Sequence, residues 1–276
     1  MNVFVKPDEQ RRTCLSLAIE RKGTMKSNVI QRITLCAILL LMFTSVVCAQ
    51  ESNDFGIWTS AAVEKKLDKK WSTEAEAGLR SRNDSRTIDR WSFGVAVNYK
   101  LQQWLTASAG YVLLYDNNVE KISCHDDGTY NRWRPSYWGV RHRFNVSVTG
   151  KFSFGDLQIS LRERWQYTCR PEQEADRFDF DIMEWEKKTV DGKCRSILRS
   201  RLQAEYDIPK CKVDPYVSVE LFNGMTLQKV RYSVGADWKI LKKHVVGVGY
   251  RYQTVNEDDD NESGCHVLDI SYKYKF

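Results

Sequence analysis

From Phe55 to the C-terminus, one pattern recurs: apolar or aromatic side chains at every second position, in runs of about ten to fourteen residues. The last run shows it plainly. His266, Leu268, Ile270, Tyr272, Tyr274 and Phe276 share one face, and Cys265, Val267, Asp269, Ser271, Lys273 and Lys275 share the other. Trp91, Phe93, Val95, Val97 and Tyr99 likewise oppose Ser92, Gly94, Ala96, Asn98 and Lys100. Similar faces run through residues 138–149, 157–167, 230–240 and 246–253. Period two is the signature of a strand with two unlike surroundings. Strands of a soluble sandwich average about five or six residues, roughly half the length of these runs. The opposite faces carry small and charged residues, as a wet lumen requires, and aromatics crowd the run ends like two interfacial girdles. The expected fold is all-β: an antiparallel transmembrane β-barrel.

Averages hide such a fold. Mean hydropathy is -0.52, with 42% hydrophobic and 28% charged residues. Membrane helices need apolar stretches of about 20 residues, and only one long apolar stretch exists. A barrel alternates apolar with polar residues, so it stays compatible with these numbers. Net charge is +6, from 42 basic and 36 acidic residues, without the concentrated basic stripe or zinc-finger spacing of a nucleic-acid binder.

The single apolar stretch, Ile33 to Ala49, follows Lys26 and Arg32 and ends in Val47-Cys48-Ala49 before Gln50. That is the three-part pattern of a secretory signal peptide, with cleavage expected between Ala49 and Gln50. Residues 1–24 read as an upstream extension, 25–49 as the signal peptide and 50–276 as the barrel domain. The expected location is the bacterial outer membrane after export, with its lipid as the immediate surrounding.

Connections alternate in length. Short turns are expected at Leu67–Lys70, Leu101–Gln103, Lys151–Asp156, Ile208–Val213 and Leu241–Lys243, and long polar loops at Asn83–Asp89, Asp116–Ser136, Thr168–Lys193, Asn223–Gln228 and Asn256–Gly264. Short periplasmic turns and longer outer loops fit that asymmetry. Eleven runs are countable, whereas bacterial single-chain barrels close on an even number. The expectation is about 10–12 strands, with 10 or 12 favoured.

Several stretches together resemble the DUF2490 family of predicted outer-membrane barrels. They are Asp54-Phe55-Gly56-Ile57-Trp58, Val63-Glu64-Lys65-Lys66-Leu67, Arg141-His142-Arg143-Phe144, the run from Pro215 to Phe222, Arg231-Tyr232-Ser233-Val234-Gly235, Tyr250-Arg251-Tyr252 and the closing Tyr272-Lys273-Tyr274-Lys275-Phe276. The resemblance implies a barrel and an outer-membrane location. It brings no catalytic residues. Terminal Phe276 is similar to the signal by which barrel-assembly machinery recognises its substrates, which implies that partner.

On the inferred lumen face lie Glu64, Glu74, Glu76, Glu205 and Glu220 with Arg141, Arg143, Arg162, Arg164, Arg199, Arg201, Arg231 and Arg251. One reading is an ion-pair network filling a narrow barrel. The other is a basic pocket or pore for a small anionic solute, since arginine binds carboxylate and phosphate bidentately. On the lipid face, a hairpin turning near Lys151–Asp156 sets His142 almost opposite Glu163, a weak candidate pair for a lipid-modifying hydrolase that lacks a placed serine nucleophile. Structural, solute-binding and solute-passing roles outrank that enzyme, and a soluble periplasmic sandwich is the third reading.

Five cysteines follow the cleavage site: Cys124, Cys169, Cys194, Cys211 and Cys265. An oxidising compartment permits disulfides. The preferred pairing among three connectivities is Cys169–Cys194 with Cys124–Cys265, leaving Cys211 in a periplasmic turn. The sequence predicts no metal site and no cofactor: no Cys-x-x-Cys pair occurs, and Glu257-Asp258-Asp259-Asp260 lacks an EF-hand pattern.

Overall fold

The computed structural model describes residues 54–256 and 264–276. The expected signal peptide, its expected Ala49/Gln50 cleavage site and the acidic stretch at 257–260 lie outside the described residues. Fifteen strands follow in chain order: β1 (Asp54–Lys66), β2 (Trp71–Arg82), β3 (Thr87–Lys100), β4 (Leu105–Asn118), β5 (Lys121–Cys124), β6 (Tyr130–Arg134), β7 (Tyr137–Phe154), β8 (Leu157–Arg170), β9 (Gln173–Asp179), β10 (Glu184–Val190), β11 (Lys193–Tyr206), β12 (Val213–Asn223), β13 (Leu227–Leu241), β14 (His244–Val255) and β15 (Cys265–Lys275).

Eleven of them close into a barrel in the order β1-β15-β14-β13-β12-β11-β8-β7-β4-β3-β2. The barrel is turned inside out relative to a water-soluble protein. Phe93 and Val95 on the outer wall are 55% and 46% exposed, while Glu220 and Arg231 inside are 5% and 6% exposed. A continuous apolar exterior of this extent matches hydrocarbon and not water. Strands of 11 to 18 residues meet or exceed the roughly 9–11 that a tilted strand needs to span a bilayer. The fold is therefore a transmembrane β-barrel.

The strand number departs from the even count expected. The first run is a full wall strand, and its partner across the closing seam is the last. β1 pairs with β15 in parallel from Asp54↔Cys265 to Glu64↔Lys275, whereas every other wall pairing is antiparallel. The reason is topological. Ten reversals separate the two strands, so an eleven-strand meander brings its ends together running the same way. The Phe276 amide donates to the Glu64 carbonyl at 2.8 Å and fastens the seam's lower end. At its upper end the Asp54 carboxylate accepts from the Asn83 and Asp84 amides, both at 2.9 Å. Asn83, Asp84 and Ser85 all hold positive φ in this outer turn.

The two longest outer connections are folded. β5, β6, β9 and β10 form a separate sheet in the order β10-β9-β6-β5. Its halves meet at only Arg132↔Asp179 and Trp133↔Phe178, reinforced by the His125–Asp181 contact at 3.0 Å and an aromatic cluster of Trp133, Phe178 and Trp185. The Gln173 side chain donates to the Val140 carbonyl at 2.7 Å, tying β9 to the top of β7.

Candidate functional site

Alternation fixes what points inward, and register fixes which of those residues meet. β8 and β11 pair so that Arg162 faces Arg201 and Arg164 faces Arg199. Like charges directly opposite destabilise a sheet, so this four-arginine cluster needs an electrostatic reason to exist. One carboxylate serves it. Glu220, on β12 opposite Arg201, accepts from Arg162 at 2.6 Å and Arg199 at 2.9 Å, and lies 3.5 Å from Arg231. Arg199 also donates to Gln166 at 3.1 Å, and Arg231 to Gln253 at 2.6 Å. Arg143, on the neighbouring β7, donates to the Thr168 hydroxyl at 3.1 Å. Among the described residues, Arg143, Arg164 and Arg201 form no ion pair, and the Nε atoms of Arg164 and Arg201 are buried without a hydrogen-bond partner.

Across the lumen the charge reverses. Glu74 and Glu64, on β2 and β1, share Lys273 at 2.7 and 3.7 Å, and Glu76 stands beside them. Arg251 pairs with Asp269 at 2.6 Å. The wall between the two charged sides, on β3 and β4, is built from Ser92, Gly94, Ala96, Ser108 and Gly110. Those short side chains leave room for a chamber of about 600 Å³. Above it lies a vestibule of about 100 Å³, whose charged lining among the described residues is Arg80, Arg90, Arg141, Arg143, Arg170, Lys193, Arg195, Arg199, Lys229 and Arg231, with no acid among them. Arg80, Arg143, Gln166, Arg199 and Arg231 line both spaces and form the neck between them.

The register thus gathers Arg143, Arg162, Arg164, Arg199, Arg201, Glu220, Arg231 and Arg251 around one chamber, with Glu74 and Glu76 opposite. Arg141 belongs higher, where it donates to Asp116 at 2.6 Å beside the Arg90–Asp116 pair. Glu205 sits toward the lower rim, opposite Tyr216 and Gln158, outside the chamber lining.

Two lumen residues are not evident from charge alone. Trp58 points inward with the guanidinium of Arg80 at 4.0 Å from its ring centroid, Arg231 at 4.9 Å and Arg251 at 5.6 Å. Phe222 carries Arg199 at 4.5 Å, Lys229 at 4.7 Å and Arg231 at 4.9 Å. An aromatic face orients a cation without neutralising it. Their signal was parity: Trp58 lies out of phase with lipid-facing Ile57 and Thr59, and Phe222 with Leu221.

The outer wall corrects the hydrolase reading. The β7–β8 hairpin turns at Gly155-Asp156, where Gly155 has φ 62°, and not higher in the 151–156 segment. His142 therefore pairs with Cys169, and Glu163 with Val148. Six residues separate the two along the wall, about 20 Å at strand rise. His142 instead meets the Tyr111 hydroxyl at 2.7 Å, and Glu163 accepts from the Ser200 hydroxyl at 2.6 Å. His142 and Glu163 thus form no pair for a nucleophile to use.

Cys169 and Cys194 face each other across β8–β11 with Cα atoms 4.1 Å apart and are joined by a disulfide. Cys124 and Cys265 are not joined: β5 carries Cys124 to the edge of the small sheet, while Cys265 opens a wall strand. Cys211 is exposed in the β11–β12 turn. Among the described residues no group of His, Cys, Asp and Glu is placed to hold a metal ion.

Fold and lumen define a transmembrane β-barrel with a charged interior. Residues 55–264 match the family described as "Protein of unknown function (DUF2490)", and the chain belongs to that family. No curated protein matches it. Among solved structures it is similar to the beta domain of the Bordetella autotransporter BrkA, at 13% identity and TM-score 0.47, covering 75% of this chain and 82% of that one. It is similar to the NanC porin at 12% identity and TM-score 0.43, covering 82% and 100%. The translocator domain of the autotransporter NalP from Neisseria meningitidis resembles it at 9% identity and TM-score 0.44, covering 81% and 90%.

Proposed function

We propose that this protein is an outer-membrane barrel, exported with signal-peptide cleavage and assembled through its terminal Phe276, whose lumen binds small anionic solutes and lets them pass. The observation that carries the reading is the arginine cluster. Arg162, Arg164, Arg199 and Arg201 stand as two cross-strand pairs, with Glu220 the one carboxylate among the described residues bonded to any of them. A network whose purpose is to fill a barrel closes its charges. Here guanidiniums remain unpaired beside an open chamber, an arrangement that a carboxylate or phosphate completes through bidentate hydrogen bonds. Arginine rings of the kind found at the neck set anion selectivity in pores.

The test is reversal potential across a planar bilayer holding the purified protein in a salt gradient. Anion selectivity is expected, falling toward unity in the Arg164→Gln/Arg201→Gln variant. Conductance with cation preference, or preference unchanged in that variant, rejects the reading.

A further inference from the structure

The arginine cluster is the lower end of a longer feature. On β8 the successive lumen-facing residues are Arg162, Arg164, Gln166, Thr168 and Arg170, and on β11 their register partners are Arg201, Arg199, Ile197, Arg195 and Lys193. These form five rungs across two adjacent strands. Seven of the ten positions are basic and none is acidic. Eight residue steps at about 3.3 Å give a track of roughly 26 Å, from the middle of the lumen to the outer mouth.

A single small anion occupies one rung and has no use for the rest. The charge recurs, however, at both ends of the track, where the two lowest rungs and the uppermost rung carry a base on each strand. Glu220 meets only the lowest rungs, and Asp116 engages Arg90 and Arg141 outside the track. At the top, Arg170 donates to the Asp191 carbonyl at 3.1 Å, a neutral acceptor that leaves its charge unmatched. The disulfide Cys169–Cys194 sits between these last rungs on the outer face and holds the two strands at fixed spacing where the track opens. Side chains two apart on a strand project about 6.6 Å apart, so the basic rungs stand at fixed spacing on a rigid wall, with the uncharged Gln166–Ile197 rung between the lower pair and the upper ones.

We infer that the β8–β11 wall is a binding track for an extended oligomeric polyanion, an acidic oligosaccharide or a polyphosphate chain, whose repeated anionic groups engage the basic rungs at the outer mouth and, past the uncharged Gln166–Ile197 rung, those of the arginine cluster. The inference rests on the anion-binding reading of the lumen and adds the solute's length and multivalency. Once one unit is held, each further unit binds at high effective concentration, so affinity rises steeply with chain length.

The experiment is calorimetric titration of the purified, folded barrel in detergent with galacturonate, tetragalacturonate, tetrapolyphosphate and neutral cellotetraose. At least one tetra-anion is expected to bind more than about tenfold tighter than galacturonate, and cellotetraose not to bind. Whichever tetra-anion binds tighter names the source. In the Arg170→Gln/Lys193→Gln variant, checked for folding by heat-modifiable gel mobility, the ratio of tetramer to monomer affinity is expected to shrink at least about threefold. Tetramers binding no more than about fourfold tighter than galacturonate, the statistical factor, overturn the track and leave the anion reading standing. Binding of none of the anions overturns both.

Discussion

Replacing Glu220 by Gln isolates the charge balance of the lumen. The glutamate side chain is 6% exposed and is a counter-charge shared by three guanidiniums, Arg162, Arg199 and Arg231, at 2.6, 2.9 and 3.5 Å. With Arg164 and Arg201 in the same cluster, the substitution leaves Arg162, Arg164, Arg199 and Arg201 with no bonded carboxylate among the described residues. Removing one member of a buried ion pair costs about 3–5 kcal/mol, because the remaining charge keeps its desolvation and loses its partner. Glutamine still accepts one hydrogen bond, so the low end, about 3 kcal/mol, is expected. The assay is urea unfolding of the barrel in lipid vesicles, read by tryptophan fluorescence, with anion selectivity measured in parallel. Selectivity should rise while stability falls. Arg201→Gln supplies the control of opposite sign: it removes a cation with no ion-pair partner, so stability should hold or improve while selectivity drops. A Glu220→Gln barrel within about 0.5 kcal/mol of the parent, the range of an uninvolved surface change, would refute the account of one shared counter-charge.

Glu163 is the only Asp, Glu, Lys or Arg in mid-strand on the lipid-facing side among the described residues. Glu163→Leu is expected to raise stability in vesicles by about 1 kcal/mol, since a charge facing lipid costs more than its Ser200 hydrogen bond returns. Cys194→Ser should lower the unfolding free energy by about 3 kcal/mol, the closure entropy of a loop of this separation, with the β8–β11 pairing intact by amide exchange. In the periplasmic turn, the Asp68 carboxylate accepts from the Trp71 and Lys70 amides at 2.7 and 2.6 Å, and these bonds hold its pKa below 3.8. The turn's contribution is then complete above the unfolded value and fades as pH falls through the lowered folded one. Site-resolved NMR titration showing a midpoint at or above 3.8 contradicts this.

Much of the architecture is legible in alternation, because a wall with lipid outside and polar groups inside writes its two faces directly into the sequence. His266 to Phe276 and Trp91 to Tyr99 fall on the side their phase indicates. Phase does not carry register. A hairpin displaced by three residues moves cross-strand partners by six, and that alone separates His142 from Glu163. Closure is equally silent: β1 reads like any wall strand, and its parallel pairing with β15 depends on contact between the barrel's first and last strands. The small outer sheet escapes for a different reason. Its strands are only four to seven residues long, and the two longer ones carry charges on both faces, as in Glu184–Val190, so no sustained apolar side marks them. Among the lumen residues, the arginines announce themselves by charge. Trp58 and Phe222 look like girdle aromatics until their phase is compared with their neighbours.

The central claim is that an anion completes the arginine cluster, and anomalous diffraction from crystals of the barrel soaked in bromide tests it most directly. The account predicts an ordered bromide peak among Arg162, Arg164, Arg199 and Arg201, displaced by added tetra-anion. The contradicting result is a cluster without an anion peak, its guanidiniums of Arg164 and Arg201 bonded instead to lumen carboxylates such as Glu76.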